Sequence, residues 1–304
     1  MKKTSKLVLS LALAFGLVAC GTKEEPTPAP EPEVQELAKV NILCPTGAPG
    51  IAFVGAYDEI TKEGKIDFCS GTDELIANLS KEDSEYDVIV APINLGCKLM
   101  MGGQTNYKLK AVLTWGNLFL VGTDEEALNG EGQIALFGQG AVPEKIYTAC
   151  NIETSLEPTY YAEAPLVQQE LLAGNVSVGM LAEPLATATI AKAKENNIEL
   201  KIIKDLQAVY GEGGYPQAAV FVKENNQDVL MSKVDDFTNN GYENLETLLD
   251  TIGVEMFKLP STAIVVKTME RQNVHYKDAA QCTQEITDFL KLFNIEFSED
   301  MLAK

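Results

Sequence analysis

The sequence predicts an α/β protein of two lobes, with mostly parallel sheets, a ligand cleft between the lobes and a helical C-terminus. Three observations predict it. From Lys39 onward, short apolar runs alternate with stretches of helical periodicity. That alternation occurs twice, once before about Leu120 and once after it. Beyond Asn226 the strand-like runs cease, and apolar residues recur at helical spacing instead. Strands separated by helices of roughly ten to fifteen residues imply right-handed crossovers and parallel pairing.

The N-terminus has its own logic. Lys2, Lys3 and Lys6 precede Leu7–Ala19, which is apolar except for Ser10 and Gly16. The stretch is shorter than the roughly 20 residues that span a bilayer, so residues 1–19 read as an export signal. It ends Leu17-Val18-Ala19-Cys20-Gly21, which resembles a bacterial lipobox and implies lipidation of Cys20. Residues 20–38 follow with Pro26, Pro28, Pro30 and Pro32 and few apolar side chains. Such a segment buries too little surface to offset its ordering entropy and serves as an extended tether. The expected location is the outer face of the cytoplasmic membrane, with the lipid as the sole membrane contact.

The elements then come in order. Lys39–Cys44 reads as a strand, followed by a Pro/Gly turn and a helix over Ile51–Thr61. Ile66–Cys69 is a strand, Ser70-Gly71-Thr72 a turn, and the next helix runs to about Lys81. Tyr86–Ala91 is a strand, and Pro92-Ile93-Asn94 opens a helix to Met101. Leu109–Trp115 and Asn117–Gly122 are two further strands. The second set begins with the strand Gln133–Phe137, then a helix Ala141–Cys150 with Pro143 in its permitted first turn. The strand Pro158–Ala162 leads into the helix Glu163–Leu172, and Val176–Leu181 into the Ala-rich helix Pro184–Glu195. Glu199–Leu206 and Gln217–Val222 are the last strands, and Asn226–Lys304 is helical. The predicted lobes are 39–120 with 217–304, and 121–216 inserted between them.

Composition excludes several functions. Of 304 residues, 24 are Lys or Arg against 44 Asp or Glu, giving a formal net charge of −20, and Arg271 is the single arginine. Nucleic-acid binding depends on cations displacing counterions from phosphates, so this chain is poorly suited to it. One histidine, His275, and no His/Cys spacing of a zinc site argue against a His-based metalloenzyme or a Ser-His-Asp hydrolase. A hydrophobic share of 46% supports a packed core. Beyond Cys20 lie Cys44, Cys69, Cys97, Cys150 and Cys282, an odd number without disulfide-scaffold spacing. They read as small buried hydrophobes, with Cys44–Cys69 the pair to check for oxidation, since both end neighbouring strands. No metal or cofactor is expected. Thiolate capture of a metal or haem by Cys44, Cys69 and Cys97 stays open as a minor alternative.

In open parallel sheets, ligands sit beyond the carboxyl ends of the strands, where helix N-termini present unpaired N–H groups. The turns at those ends supply the candidate contacts. They are Thr46, Gly47 and Ala48; Ser70, Gly71 and Thr72; Asn94; Gln139 and Gly140; Glu163; and Glu183. Trp115, the only tryptophan, ends a strand and offers a stacking surface, with Tyr160, Tyr161 and Tyr215 as further walls. Asn117 and Gln217 add neutral donors and acceptors.

The segments NILCPTGAPG, YDVIVAPINLGCKLMMGG, KAVLTWGNLFLVG, IALFGQGAVPEKI, SVGMLAEPLATATIAKA and YPQAAVFVKEN carry a resemblance. With the lipobox and tether, they resemble substrate-binding lipoproteins of ABC importers. The group is the nitrate/sulfonate/taurine and thiamine-pyrimidine-precursor binders of the type II periplasmic-binding fold. The resemblance spans about residues 39–300. It implies a monomer that captures a small nutrient outside the cell and closes its lobes around it. Hinges are then expected at Leu120–Thr123 and Pro216–Val220. The nutrient would pass to a membrane permease driven by a cytoplasmic ATPase; the chain itself has no phosphate-binding GxxxxGK[ST] loop. Glu163 and Glu183, if they face the cleft, favour a neutral or weakly basic heterocycle, with Arg271 expected to lie away from the rim. An anion seated on helix N-termini, as in sulfonate or nitrate binders, is the alternative. Enzymes of the menaquinone- and pyrimidine-pathway type share the fold and form another. A receptor that signals without transport has the same sequence signature.

Overall fold

The computed structural model describes residues 36–223 and 227–304. The expected signal segment, Cys20 and the tether up to residue 35 lie outside the described residues. The chain builds β1 (Asn41–Pro45), α1 (Ala48–Ile51), α2 (Tyr57–Glu63), β2 (Lys65–Cys69), α3 (Asp73–Leu79), β3 (Val88–Pro92), α4 (Ile93–Met101) and β4 (Lys108–Thr114). It then leaves for a second sheet. That sheet is made by β5 (Leu118–Gly122), β6 (Gln133–Phe137), α5 (Val142–Ala149), β7 (Glu157–Tyr161), α6 (Ala164–Ala173), β8 (Val178–Ala182), α7 (Leu185–Glu195), β9 (Lys201–Asp205) and α8 (Leu206–Tyr210). The return brings β10 (Ala218–Val222), α9 (Asp228–Asn239), α10 (Leu245–Ile252), α11 (Thr262–Gln272), β11 (Val274–Asp278) and α12 (Thr283–Lys291).

The first sheet has the order β11-β4-β10-β3-β1-β2, and the second β7-β6-β8-β5-β9. Each has a parallel block, β2-β1-β3 and β7-β6-β8. Each also holds one strand that arrives from the other sheet and runs against its neighbours, β10 in the first and β5 in the second. The crossings dictate this direction. A chain that enters at the carboxyl ends of a parallel block must run back toward its amino ends.

Strand alternation puts a core on both faces of each sheet. In the first sheet Leu43, Ile89, Ala91, Ala219 and Phe221 face one core, and Ile42, Cys44, Val88, Val90 and Val220 the other. Burial on both faces is why these strands read as near-continuous apolar runs. Two register shifts between β10 and β4 leave Lys110 and Leu113 without a partner on β10, and they change the parity of β4 so that Leu109 and Val112 share one face. The larger core continues into the second sheet through Leu118, Leu120, Ile134, Leu136 and Met180.

Two elements depart from the sequence reading. Residues 274–278, expected to be helical, form the edge strand β11 against β4. A five-residue edge strand buries only Val274 and Tyr276, which is too short an alternation to register against the helices around it. Leu206–Tyr210, expected as strand end and loop, forms α8, because the Asp205 carboxylate accepts the Gln207 and Ala208 amides at 3.0 and 3.1 Å.

Candidate ligand site at the strand mouths

The chain passes between the sheets at Trp115–Asn117 and again at 211–217. Of the stretches expected as hinges, Leu120–Thr123 falls after the first crossing, mostly in β5, whereas Pro216–Val220 begins within the second crossing and continues into β10. The two crossings pack on each other tightly. The Tyr215 amide donates to the Trp115 carbonyl at 3.1 Å and the Gln217 amide to Thr114 at 2.9 Å. Gly116, at φ +88°, lies directly against the Tyr215 ring, and Gly214, at φ +79°, against the Trp115 carbonyl.

These crossings set four of the predicted residues side by side in two pairs. Asn94 opens α4 beside Gln217, whose carbonyl accepts the Ile93 amide at 3.1 Å. Asn117 pairs with Glu183 in both directions, accepting its amide at 2.9 Å and donating Nδ2–H to its carbonyl at 3.2 Å. The remaining predictions sit further out. Ser70, Gly71 and Thr72 follow β2 at the edge of the first sheet, and Glu163 follows β7 at the edge of the second. Gln139 and Gly140 lie exposed beyond β6.

Several of the amides expected to be free at these turns are already taken. Thr46 donates to the Cys69 carbonyl at 3.0 Å, and Gly47 to Phe257 at 2.8 Å. Gly140 donates to the Glu144 carboxylate at 2.6 Å, and Leu118 to Gln207 Oε1 at 2.6 Å. The turn that carries Phe257 also roofs β2, since Lys258 Nζ reaches Ser70 Oγ at 2.6 Å. Ala48 is buried beneath it. What is left without a partner is acceptor oxygen. Asn94 Oδ1, Asn117 Oδ1 and Gln217 Oε1 are buried with no hydrogen bond, and the Asn117 side chain belongs to a residue only 5% exposed. An unpartnered buried acceptor costs about 1–3 kcal/mol, so these three make the junction the candidate place for donors; a fourth such oxygen, Gln272 Oε1, lies on α11.

Two of the four aromatic candidates, Trp115 and Tyr215, turn inward, while Tyr160 and Tyr161 are half-buried on β7. Trp115 is 4% exposed; His275 stacks on it at 5.4 Å and 11°, and its Nε1–H donates to the His275 carbonyl at 3.2 Å. Lys277 Nζ sits 5.3 Å from the indole centroid. Burial, with Lys277 adding to it, holds the His275 imidazole below its ordinary value. Tyr215 is fully buried and stacks on Phe289 of α12 at 5.8 Å. Both rings are therefore core, because the crossings themselves need filling.

Arg271 is placed at the rim, where the sequence reading had set it apart. Its Nε donates to Glu183 Oε1 at 2.8 Å and its Nη2 to Thr187 Oγ1 at 2.8 Å. Glu183, whose side chain is fully enclosed, also accepts the Thr187 amide at 3.1 Å and its hydroxyl at 2.8 Å. The Glu183 charge is thus matched inside the protein. Glu163 is exposed at the start of α6 and makes no capping bond from its side chain. Neither Arg271 nor Thr187 stood out in the sequence as a site residue; the lone arginine of an acidic chain was the available signal.

Two open recesses lie elsewhere. One of about 390 Å³ is bounded by α9 and β11, and one of about 310 Å³ by the end of α4 and the C-terminal segment. None of the predicted contacts lines either. Neither holds any of the orphaned buried oxygens, so the strand mouths remain the better candidate.

The chain matches no protein-family model and no curated protein sequence. Among solved structures, an ABC transporter from Parabacteroides distasonis superposes with a TM-score of 0.69 at 22% identity, over 84% of this chain and 92% of that one. A Candida albicans gene product described as exhibiting the generic periplasmic binding protein structural fold gives 0.54 at 14%, over 87% and 93%. This chain has the periplasmic binding protein fold. The periplasmic aliphatic sulphonate binding protein SsuA from Escherichia coli aligns on the same fold with a TM-score of 0.60 at 14% identity, over 84% and 86%. Among the described residues no helix is long and apolar enough to cross a membrane, and no group of three or more His, Cys, Asp or Glu side chains is arranged to hold a metal.

Proposed function

We propose that the protein is an exported solute-binding protein of an ABC importer. It captures a small nutrient between two lobes, one built on the first sheet and one on the second, and presents it to a permease and its ATPase. Its hinges are the crossings at 115–117 and 211–217, and a lipid on Cys20 tethers it, as a monomer, outside the cytoplasmic membrane. Solved proteins that share the fold include an ABC transporter and a ligand-binding component of an ABC-type import system, which supports this reading over an enzymatic one.

The ligand class rests on one observation. The buried side-chain atoms left unpaired at the junction are acceptors, on Asn94, Asn117 and Gln217, and the Ile93, Leu118 and Glu183 amides beside them are taken. A site of that polarity suits a neutral or weakly basic heterocycle bearing N–H donors, such as an aminopyrimidine vitamin precursor. A sulfonate or nitrate offers only acceptors and would leave the same oxygens unpaired. The acidity of Glu163 and Glu183 is the weaker support, since Arg271 offsets Glu183. Calorimetric titration of the purified protein with an aminopyrimidine thiamine precursor and with ethanesulfonate, which has no N–H donor, tests the reading. Binding of the pyrimidine alone is expected; tight ethanesulfonate binding without pyrimidine binding overturns it.

A further inference from the structure

We propose that Arg271 is an interlobe clasp, joining α11 of the first lobe to Glu183 and Thr187 of the second and so setting how far the cleft closes. The proposal rests on the two-lobe reading above. Each end of the clasp is fixed to a different sheet. Helix α11 is anchored by Val265 in a core with Ile51, Val54 and Phe257, and it runs directly into β11, which pairs with β4. Helix α7 follows β8 and is anchored by Ala186 in a core with Val121 and Leu181. Between these anchors lie two bonds, both donated by the one guanidinium, to the Glu183 carboxylate and to the Thr187 hydroxyl.

The groups are unequal in a way that suits a clasp. Glu183 is 2% exposed, whereas the Arg271 side chain is 39% exposed. When the lobes part, the arginine moves into water, but the carboxylate keeps only Thr187. Opening therefore strands a buried charge, and the closed form is favoured before any ligand arrives.

Small-angle X-ray scattering on the ligand-free protein tests this, with circular dichroism to confirm folding. Arg271→Gln is expected to raise the radius of gyration and maximum dimension with an unchanged dichroism spectrum, and Arg271→Lys to raise them less. Should Arg271→Gln fail to fold because Glu183 is left uncompensated, Arg271→Met/Glu183→Gln removes both charges, and it too should scatter as the more open form. Wild-type scattering from a folded variant of either kind overturns the clasp. Because no ligand is present, this outcome is independent of whether the transport reading holds. With an aminopyrimidine as probe, cutting the closed population to roughly a tenth weakens apparent affinity about tenfold.

Discussion

The thiols of Cys44 and Cys69 sit on adjacent strands but on opposite faces of the first sheet. Register pairs Cys44 with Phe68 and Pro45 with Cys69, so the two side chains alternate in direction. Cys44 packs with Ile42 and Val88, while Cys69 packs with Leu43 and Ile89. The sequence correctly places both at neighbouring strand ends, but a one-residue offset decides the face.

Both thiols are therefore expected to stay reduced in the folded protein, along with the other three that the structure shows free. Burial raises every one of them, Cys69 and Cys150 to about 11 and Cys97 and Cys282 to about 12. At neutral pH the reactive thiolate is scarce. A chromogenic disulfide reagent should modify these five slowly until denaturant is added. Peptide mapping that recovers a Cys44–Cys69 cross-link from folded protein would contradict the register.

Gly213 and Gly214 form a matched pair for testing the crossing. Both have positive φ, +83° and +79°, yet a Cβ on Gly213 meets nothing within 4 Å, while one on Gly214 lies 2.0 Å from the Trp115 carbonyl oxygen. Gly213→Ala should cost about 1–2 kcal/mol, the left-handed strain alone. Gly214→Ala must also push the two crossings apart and should cost about 1–3 kcal/mol more. Urea denaturation of both variants gives the comparison, and equal losses would show that the crossings are loosely packed.

Burial of His275 makes stability depend on pH in one direction. Its imidazole titrates below the ordinary 6.5 in the folded protein, so the unfolded chain binds the proton more readily. The contribution is fully present above the unfolded value and is lost as pH falls below it. Between about pH 7.5 and about pH 5.5, the wild type should lose more unfolding free energy than His275→Gln does. Trp115, stacked on this ring and alone of its type, reports the transition by fluorescence. Parallel pH profiles for the two proteins would remove His275 as the cause.

How much of this was legible follows from range. The alternation of β1–α4 and β6–α7 is local, and it gives nearly every element to within a few residues. The mouths of those strands are local too, so turn chemistry nominates Asn94 and Glu183, and neutral side-chain amides nominate Asn117 and Gln217, as candidate contacts. Pairings that span the chain were not. Arg271 meets Glu183 across 88 residues, and Trp115 meets His275 across 160, so no window reveals either. The same distance hid the use of the Gly47 amide by Phe257. An aromatic ring or a free amide at a strand end is available to a ligand only if the rest of the chain leaves it so.

Gln217 separates ligand recognition from fold stability. Its Oε1 is buried without a partner, and among the described residues its side chain makes no hydrogen bond, although its backbone is fixed on Thr114 and Ile93. Gln217→Met keeps the length and removes the orphaned oxygen. If the side chain exists to accept an N–H from the captured molecule, the exchange should leave the ligand-free protein as stable as before or more so, by up to about 1–3 kcal/mol. It should at the same time weaken binding of the aminopyrimidine probe, because the donor on that molecule then meets sulfur and carbon. Chemical denaturation without ligand and calorimetry with it read the two effects separately. A substitution that destabilises the free protein would assign Gln217 to structure, and one that leaves pyrimidine affinity intact would remove it from the site. The opposed signs are the signature of a group kept for binding at the expense of the fold.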